Sequence, residues 1–225
     1  MKDIYVSLSG ATAAWNNLST IAQNVANAST QGYRETRVSF ELAGPAGMGA
    51  QYAATGQTTF SEVDGALQQD NVETHVALRG NAFFALEDGT FTRDGAFQVD
   101  AEGRLTTRDG VAVLADGSPV ELQAGESISI GQDGTLTGSK SGEIGKLDAI
   151  RLVGGSPLGG NRWTGTPEPV EEGIQFIQGS LEGSNVDTMR GMVEMMEASR
   201  FFEMQEKVMQ ASDDLRSRLN RIGGS

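Results

Sequence analysis

Residues Gln23–Tyr33 read QNVANASTQGY and mark the point where a predicted N-terminal helix ends. Asn, Ser and Gly in this stretch favour turns over helix interiors. The sequence therefore predicts a helix over residues 3–28, about 40 Å long at 1.5 Å per residue. Its apolar residues recur three and four positions apart, the spacing of one helix face: Ile4, Leu8, Ala11, Trp15, Leu18, Ala22 and Val25.

A second helix is predicted at the other end of the chain. Ser184-Asn185-Val186-Asp187 has the pattern of a capping box with Asp in place of Glu. From Val186 onward there is no proline, and the run predicts a helix of about 37 residues, or about 55 Å. One apolar face consists of Met189, Val193, Met196, Met204, Val208, Ala211, Leu215, Leu219 and Ile222. Four further apolar residues lie outside that face: Met192, Met195, Phe202 and Met209.

The residues between the two helices have the pattern of β-structure. Asp-Gly steps, which are strong hairpin signals, occur at 64–65, 88–89, 94–95, 109–110, 116–117 and 133–134. Short alternating or apolar segments lie between them, so we expect antiparallel sheet, either a sandwich or an irregular barrel. The stretch at 151–169 has the composition of a loop-rich exit from this region, and residues 41–57 have little regular pattern.

These elements predict an α+β fold, in which long N- and C-terminal helices pair as a coiled-coil-like core beside a central antiparallel all-β domain. The predicted organisation has four parts: an N-terminal core helix and turn at 1–35, an extended connector at 36–70, a β domain with its loop-rich exit at 71–178, and a C-terminal core helix at 179–225.

Charge and composition exclude several classes of function. The net charge is −13, and residues 41–180 carry eight basic and twenty acidic side chains, so there is no basic patch to bind nucleic acid. The chain contains no cysteine, which excludes disulfides and thiolate sites. No apolar run is long enough to cross a membrane, and the N-terminus lacks the uninterrupted apolar region of a cleaved signal peptide.

Neither helix can bury its apolar face alone. Antiparallel pairing would bury much of one face, at about 1.5–3 kcal/mol per buried apolar side chain, but the C-terminal helix has apolar residues on two faces. Two interpretations follow. The helix either packs on the sheet, with methionines filling irregular gaps, or its second face meets other copies or similar chains in an open helical array.

The sequence contains no recognisable catalytic or metal-binding constellation, so we expect no enzyme activity and no cofactor. The single histidine, His75, lies in a strand-like segment without a nucleophile motif. The acidic pairs Glu171-Glu172 and Asp213-Asp214 are adjacent in sequence, and their side chains need not converge as paired catalytic carboxylates must. The Gly-rich stretch at 154–162 lacks the Gly-Lys-Ser/Thr end of a phosphate loop.

Three blocks of the sequence, in order, resemble the flagellar axial proteins of the rod and hook. The first is the Asn-x-Ala-Asn-x-x-Thr-x-Gly-aromatic run, here Asn24, Ala26, Asn27, Thr30, Gly32 and Tyr33. The second is the central block with Gly80, Phe83-Phe84, Thr92-Arg93, Gly95 and Gly103. The third contains Leu181-Glu182, Ser184-Asn185-Val186, Arg200 and Glu203. His75 and Phe91 depart from the residues common in the family at those positions, which are Asp and Tyr.

The resemblance implies a structural subunit of the basal-body rod that assembles through its terminal helices into the torque-transmitting drive shaft. Its partners would be itself, other rod subunits and the flagellar export apparatus, and its location the periplasmic part of the basal body, reached without a cleaved signal peptide. Phe202-Glu203 and the compact middle are more similar to the proximal-rod member than to the distal-rod member of the family. The distal-rod role stays open, as does a secreted β-type binding module on a helical stalk.

The residues expected at the assembly interface come from both helices and from the motifs beside them. They are Leu8, Trp15, Leu18, Asn24, Asn27, Thr30, Gly32, Tyr33, Leu181, Ser184, Asn185, Val186, Met189, Val193, Met196, Arg200, Phe202, Glu203, Val208 and Leu215.

Overall fold

The structure, a computed structural model, describes residues 2–43, 52–159, 161–170 and 173–223. Two long helices flank a series of short strands. The helices are α1 (Lys2–Ala26) and α2 (Thr188–Gly223). The strands are β1 (Thr36–Ala43), β2 (Tyr52–Phe60), β3 (Leu67–Gln69), β4 (Val76–Arg79), β5 (Phe83–Ala85), β6 (Phe91–Thr92), β7 (Gln98–Val99), β8 (Leu105–Thr106), β9 (Leu114–Ala115), β10 (Ser118–Pro119), β11 (Ile128–Ile130), β12 (Thr135–Gly138), β13 (Gly142–Lys146), β14 (Ala149–Gly159), β15 (Arg162–Pro169), β16 (Gln175–Gln178) and β17 (Ser180–Glu182).

The chain divides into two compact units, and the prediction of an α+β fold is confirmed. The helical unit comprises α1, residues 36–59 with β1 and most of β2, and α2. The β unit comprises residues 27–35 and 60–186.

The start of α2 differs from the predicted one. Asp187, not Ser184, caps the helix, because its carboxylate accepts a hydrogen bond from the Arg190 amide at 3.1 Å. The Ser184 hydroxyl instead accepts one from the Val186 amide at 3.2 Å. The helix therefore begins at Thr188, and residues 184–186 belong to the β unit.

In the helical unit, α1 and α2 pack against each other and run antiparallel. Val25 near the end of α1 faces Gly191 near the start of α2, whereas Gly10 near the start of α1 faces Gln205 further along α2. Strand β1 pairs with β2 and contacts α1. Strands therefore replace the irregular connector predicted for 41–57 at residues 41–43 and 52–57, while residues 44–51 lie outside the described part.

The β unit is antiparallel, as predicted. Strands β14, β15, β6 and β5 close into a small barrel, while β11, β12 and β13 form a three-stranded sheet. Strand β16 pairs with β4, and β17 pairs with β3. The main core contains fully buried side chains from β4, β5, β8 and β12, among them Leu78, Phe84, Leu105 and Leu136. A second cluster, around Phe83 and Trp163, lies in the small barrel.

The loop-rich exit predicted at 151–169 is wrong. Residues 151–159 lie in β14 and residues 162–169 lie in β15, and the two strands pair with each other. Gly and Pro read as turn signals in the sequence, but the register shifts between Val153 and Ser156 accommodate the glycines as irregularities in the ladder. Leu152 and Trp163 of this ribbon are buried in the second cluster, and this packing outweighs the weak strand propensity of their neighbours.

The Asp-Gly steps have two different roles. Asp116-Gly117 is a two-residue hairpin turn between β9 and β10, with both residues at positive φ, as a type I′ turn requires. Gly95 is a point of close approach instead, because a Cβ built there would lie 1.7 Å from the Val76 carbonyl oxygen.

Candidate assembly interface

The face of α2 that packs on α1 is not the predicted main apolar stripe but a face that includes apolar residues outside that stripe. This inward face has spacings of four and three and consists of Gly191, Met195, Ala198, Phe202, Gln205 and Met209. Gly191 and Ala198 are buried, and the other four are half-buried. The corresponding residues of α1 are Ala11, Ala14, Leu18, Ile21 and Val25, again three and four apart and buried or half-buried.

Three contacts fix how the helices meet. The rings of Trp15 and Phe202 have centroids 5.6 Å apart at a tilted angle of 54°. A Cβ built on Gly191 would lie 2.7 Å from a methyl carbon of Val25, so a glycine allows the closest approach at this end. A Cβ built on Gly10 would lie 3.6 Å from the Gln205 side-chain oxygen, which is an ordinary contact.

The predicted main stripe of α2 points away from α1. Together with Met192 and Phe201, which the predicted stripe did not include, it forms an outward face of large apolar side chains with the exposed fractions Met189 78%, Met192 50%, Val193 50%, Met196 55%, Phe201 45%, Met204 53%, Val208 50% and Leu215 61%. Pairing with the N-terminal helix therefore leaves this stripe uncovered in the single chain. The side chains of Leu219 and Ile222 lie outside the described part.

Helix α1 also presents apolar groups to its surroundings. Leu8 is 52% exposed, and Trp15 is 56% exposed despite its contact with Phe202. Residues 4–33 contain no charged side chain. This is unusual, because a helix with a face exposed to water normally has charged residues on that face. Both helices thus carry surfaces of a kind that is normally covered by another protein.

Asn24 anchors the end of α1 to the first strand. Its buried side-chain amide donates to the Thr36 carbonyl oxygen at 2.8 Å. Its side-chain oxygen accepts from the Thr36 amide at 2.9 Å and from the Thr36 hydroxyl at 3.0 Å. This explains the Asn at this position of the motif, because only a carboxamide donates and accepts in this pattern.

The rest of the N-terminal motif is a turn inside the β unit. The Thr30 amide donates to the Asn27 carbonyl oxygen, and the Thr30 hydroxyl donates to the Asn27 side chain, both at 3.0 Å. Gly32 has a φ of 65°, and a Cβ there would lie 2.5 Å from the Arg93 carbonyl carbon. Only glycine fits, because both the backbone angle and the space exclude a side chain. Tyr33 is buried.

Residues 180–186 run between two other segments of the β unit. On one side, the Asn185 side-chain oxygen accepts from the Glu35 amide at 2.7 Å, and the Glu182 carbonyl oxygen accepts from the Gly32 amide at 2.7 Å. On the other side, the Asn185 side-chain amide donates to the Val63 carbonyl oxygen at 2.8 Å. The N-terminal and C-terminal motifs are therefore brought together in one structure, which we call the junction.

The centre of the junction is a cluster of four charged side chains, Arg34, Asp64, Arg93 and Glu182. The side chains of both arginines and of Glu182 are no more than 2% exposed, and that of Asp64 is 35% exposed. Arg34 pairs with Asp64 at 2.9 Å and with Glu182 at 3.1 Å. Arg93 pairs with Glu182 and, at 3.2 Å, with Asp64. Two positive charges are thus balanced by two negative ones, as burial requires.

Backbone groups complete this cluster. The Arg93 guanidinium donates to the carbonyl oxygens of Leu78, Gly80 and Ala82. The Gly65 amide donates to the Glu182 carboxylate at 2.8 Å. The partial burial of Asp64 acts to raise its pKa. Hydrogen bonds from the Gly80 amide and Arg34, together with the charges of Arg93 and Arg34, outweigh this effect and lower the pKa below its ordinary value.

Sequence comparison finds relatives of this chain among known proteins. Three family models match: "Flagella basal body rod protein" at residues 4–34, "Flagellar hook protein FlgE/F/G D1 domain" at 77–138 and "Flagellar basal body rod FlgEFG protein C-terminal" at 177–222. The flagellar basal-body rod protein FlgG of Borreliella burgdorferi is 31% identical, over 99% of this chain and 98% of the relative. FlgF of Mesorhizobium japonicum is 34% identical, over 89% of this chain and 88% of the relative. FlgF of Escherichia coli K12 is 28% identical, over 97% of each.

The chain belongs to the flagellar basal-body rod protein family. The resemblance drawn from the sequence motifs is confirmed, and so are a structural role in the rod and the absence of enzymatic function, because this family is structural. Within the described residues, no group of acidic or histidine side chains is arranged to hold a metal ion. Among the same residues, no helix is long and apolar enough to cross a membrane.

In this rod-family chain, the residues expected at the interface occupy three places. Those on the surfaces of the helical unit are Leu8, Trp15, Met189, Val193, Met196, Arg200, Glu203, Val208 and Leu215, all exposed. Leu18 and Phe202 are half-buried on the helices, and Asn24 binds Thr36. Those in the β unit, around the junction, are Asn27, Thr30, Gly32, Tyr33, Leu181, Ser184, Asn185 and Val186. Sequence reasoning did not single out Arg34 and treated Asp64 only as part of an Asp-Gly turn signal, although Arg93 and Glu182 stood in the family motifs.

Proposed function

We propose that this rod-family chain is a proximal-rod subunit that assembles through the exposed faces of its terminal helices. Membership of the family supports a location in the flagellar basal body and contact with other rod components. The proposal adds the surface that makes this contact and the position in the rod.

The observation that carries the proposal is the outward face of α2. Eight large apolar side chains on one helix are each between 45% and 78% exposed. They lie opposite the inward face, so α1 of the same chain does not cover them. A single chain in water gains nothing from such a surface, whereas burying it against another subunit contributes about 25 cal/mol per Å² of apolar area.

The pairing of α1 and α2 supports a coiled-coil-like core within each subunit. The inward residues of both helices repeat with alternating spacings of three and four, the seven-residue repeat of coiled coils. Since the outward faces of α1 and α2 differ in sequence, a contact between α2 of one copy and α1 of the next is heterologous. Such contacts build open helical arrays, which suits a shaft that transmits torque.

The same proposal includes the route to the rod. We expect export of the chain through the flagellar secretion channel without cleavage of a signal peptide, followed by assembly in the periplasm. Mass spectrometry of the chain recovered from isolated basal bodies tests this point, since an intact Met1 end, or one trimmed only of Met1, excludes signal cleavage.

The distal rod is the second candidate position, because a FlgG protein is 31% identical over nearly the whole chain. Complementation separates the two. The gene is expressed in strains of its own species that lack either FlgF or FlgG, and motility and complete basal bodies are scored. Rescue of the FlgF-deficient strain alone supports the proximal rod, rescue of the FlgG-deficient strain alone supports the distal rod, and rescue of neither contradicts a role as a rod subunit in that species.

A further inference from the structure

The methionines of this chain are concentrated on α2. The chain has eight methionines and no cysteine, and six of the eight lie between Met189 and Met209. Thioether sulfur is therefore the only sulfur that an oxidant meets in this protein. Methionine sulfur is oxidised to the sulfoxide according to its access to solvent.

These six methionines are divided between the two faces of the helix. Met189, Met192, Met196 and Met204 are exposed by 78%, 50%, 55% and 53%. At 100° per residue they fall within an arc of about 120° and extend over about 22 Å of the outward face. Met195 and Met209 are half-buried on the inward face. One helix thus contains four accessible thioethers and two that are half-buried.

We propose that the four exposed methionines of α2 are an oxidation site that controls assembly before the subunit is incorporated. This inference rests on the proposed use of the outward face as an assembly surface. The oxidant is hydrogen peroxide or another two-electron peroxide. A sulfur lone pair attacks one peroxide oxygen, the O–O bond breaks, and the sulfoxide forms. The proton of the attacked hydroxyl passes to the second oxygen, which leaves as water from hydrogen peroxide or as an alcohol from an organic peroxide. Sulfur loses two electrons and the peroxide gains them.

The product has a different surface from the starting side chain. A sulfoxide is polar and chiral where the thioether was flexible and apolar. Burying its oxygen in a subunit contact without a hydrogen-bond donor is costly, and four such groups lie on one face. Oxidised chains are therefore excluded from assembly, and subunits already packed in the rod have these sulfurs covered. Methionine sulfoxide reductases return the side chains to the competent state.

The first test measures which sulfurs react. The full-length protein at low concentration is treated with limiting hydrogen peroxide, and sulfoxide at each position is followed by mass spectrometry of peptides. We expect Met189, Met192, Met196 and Met204 to be oxidised about fivefold faster than Met195 and Met209, since access sets the rate. Equal rates at all six positions would overturn the assignment of the site.

The second test measures the consequence for association. Self-association is followed by analytical ultracentrifugation for the untreated protein, the oxidised protein and the variant M189L/M192L/M196L/M204L, whose side chains are apolar, similar in volume and inert to peroxide. We expect oxidation to raise the concentration for half-association about tenfold or more in the natural protein, since the sulfoxides must be desolvated. The leucine variant is expected to associate equally with and without peroxide. Undiminished association of the oxidised natural protein, or an equal loss in the leucine variant, would overturn the proposal.

A third measurement separates this inference from the proposed function. If the untreated protein does not self-associate at any concentration, the proposed self-assembly fails, and with it the control of assembly by oxidation. The oxidation site itself is then judged by the relative rates and by retention on a hydrophobic column. Oxidation is expected to shorten retention of the natural protein and to leave the leucine variant unchanged; unchanged retention of both would overturn the site as well.

Discussion

The Gly32 amide donates a hydrogen bond to the Glu182 carbonyl oxygen at 2.7 Å and thereby joins two motifs from opposite ends of the sequence. Gly32 ends the turn that follows α1, and Glu182 is the last residue of β17, shortly before α2. This contact and the cluster of four charged side chains beside it hold together, within the β unit, the segment that follows α1 and the segment that precedes α2. The motifs shared with the rod family thus have a structural role within the single chain. Their proposed role in assembly is additional to it.

Replacing Gly32 by alanine is expected to destabilise the β unit strongly. Gly32 has a φ of 65°, and the added Cβ would lie 2.5 Å from the Arg93 carbonyl carbon, which belongs to the backbone and cannot turn away. The control is Gly89→Ala, at a φ of 76° with nothing within 4 Å of the added Cβ. Urea unfolding is expected to give a loss of about 1–2 kcal/mol for the control, from backbone strain alone, and a clearly larger loss for Gly32→Ala. Equal losses would show that the close contact with Arg93 has no energetic weight.

Replacing Glu182 by glutamine tests the buried charge cluster. The substitution keeps the size of the side chain but leaves Arg34 and Arg93 with only Asp64 as a counter-charge. Breaking a buried ion pair in this way costs about 3–5 kcal/mol. Glu168→Gln on β15, where the side chain is exposed, is the matched control and is expected to change stability by less than about 0.5 kcal/mol. The free energy of unfolding is measured in urea for both variants. A Glu182→Gln variant as stable as the natural protein would refute a stabilising role for the cluster.

Glu126 is expected to contribute to stability at neutral pH and to lose this contribution in acid. The amide of Gln123, followed by the amides of Ser141 and Lys140 and the Ser141 hydroxyl, donates to its carboxylate and lowers its pKa from 4.5 to about 2. Because the pKa is lower in the folded state, the stabilisation is fully present above pH 4.5 and is lost as the pH falls towards 2. The free energy of unfolding is measured between pH 6 and pH 2. It is expected to fall less steeply with decreasing pH for Glu126→Gln than for the natural protein. The same pH dependence of the free energy of unfolding in both proteins would contradict this role of Glu126.

A charge on the outward face of α2 is expected to block assembly without unfolding the protein. Met196 is 55% exposed in the single chain, so Met196→Asp costs little there, but it buries an unpaired carboxylate in the proposed contact. Leu158→Asp on β14, at a residue that is 59% exposed, is the matched control. Motility in a strain lacking the natural subunit is expected to be lost with Met196→Asp and retained with Leu158→Asp. Thermal unfolding of the purified variants checks that the β unit remains folded in both.

Local patterns of the sequence were sufficient to predict both helices and the antiparallel character of the middle. Helical periodicity and Asp-Gly turns act over a few residues, so they are visible without the fold. The side of α2 that packs on α1 was not predicted, because Met195, Phe202 and Met209 looked like exceptions to a longer apolar stripe. Periodicity shows that a helix has two apolar faces, but it does not tell which face meets which partner.

Long-range contacts were beyond the reach of sequence reasoning. The charge cluster joins positions 34, 64, 93 and 182, and a single arginine or glutamate in a polar segment gives no sign that it is buried. The β14–β15 ribbon was mistaken for a loop for a related reason. Its glycines and prolines are local turn signals, whereas Leu152 and Trp163 are held in strands by packing against distant residues such as Phe83.

The measurement that tests the central claim most directly is thiol labelling of Met196→Cys in this naturally cysteine-free chain. Labelling rates are compared for the purified single chain and for basal bodies isolated from motile cells that carry the variant. Ser118→Cys, at the exposed first residue of β10 in the β unit, is labelled in parallel to measure how well the reagent reaches each sample. The account predicts fast labelling of position 196 in the single chain and strong protection in basal bodies. Equally fast labelling of position 196 in both would contradict assembly through the outward face of α2.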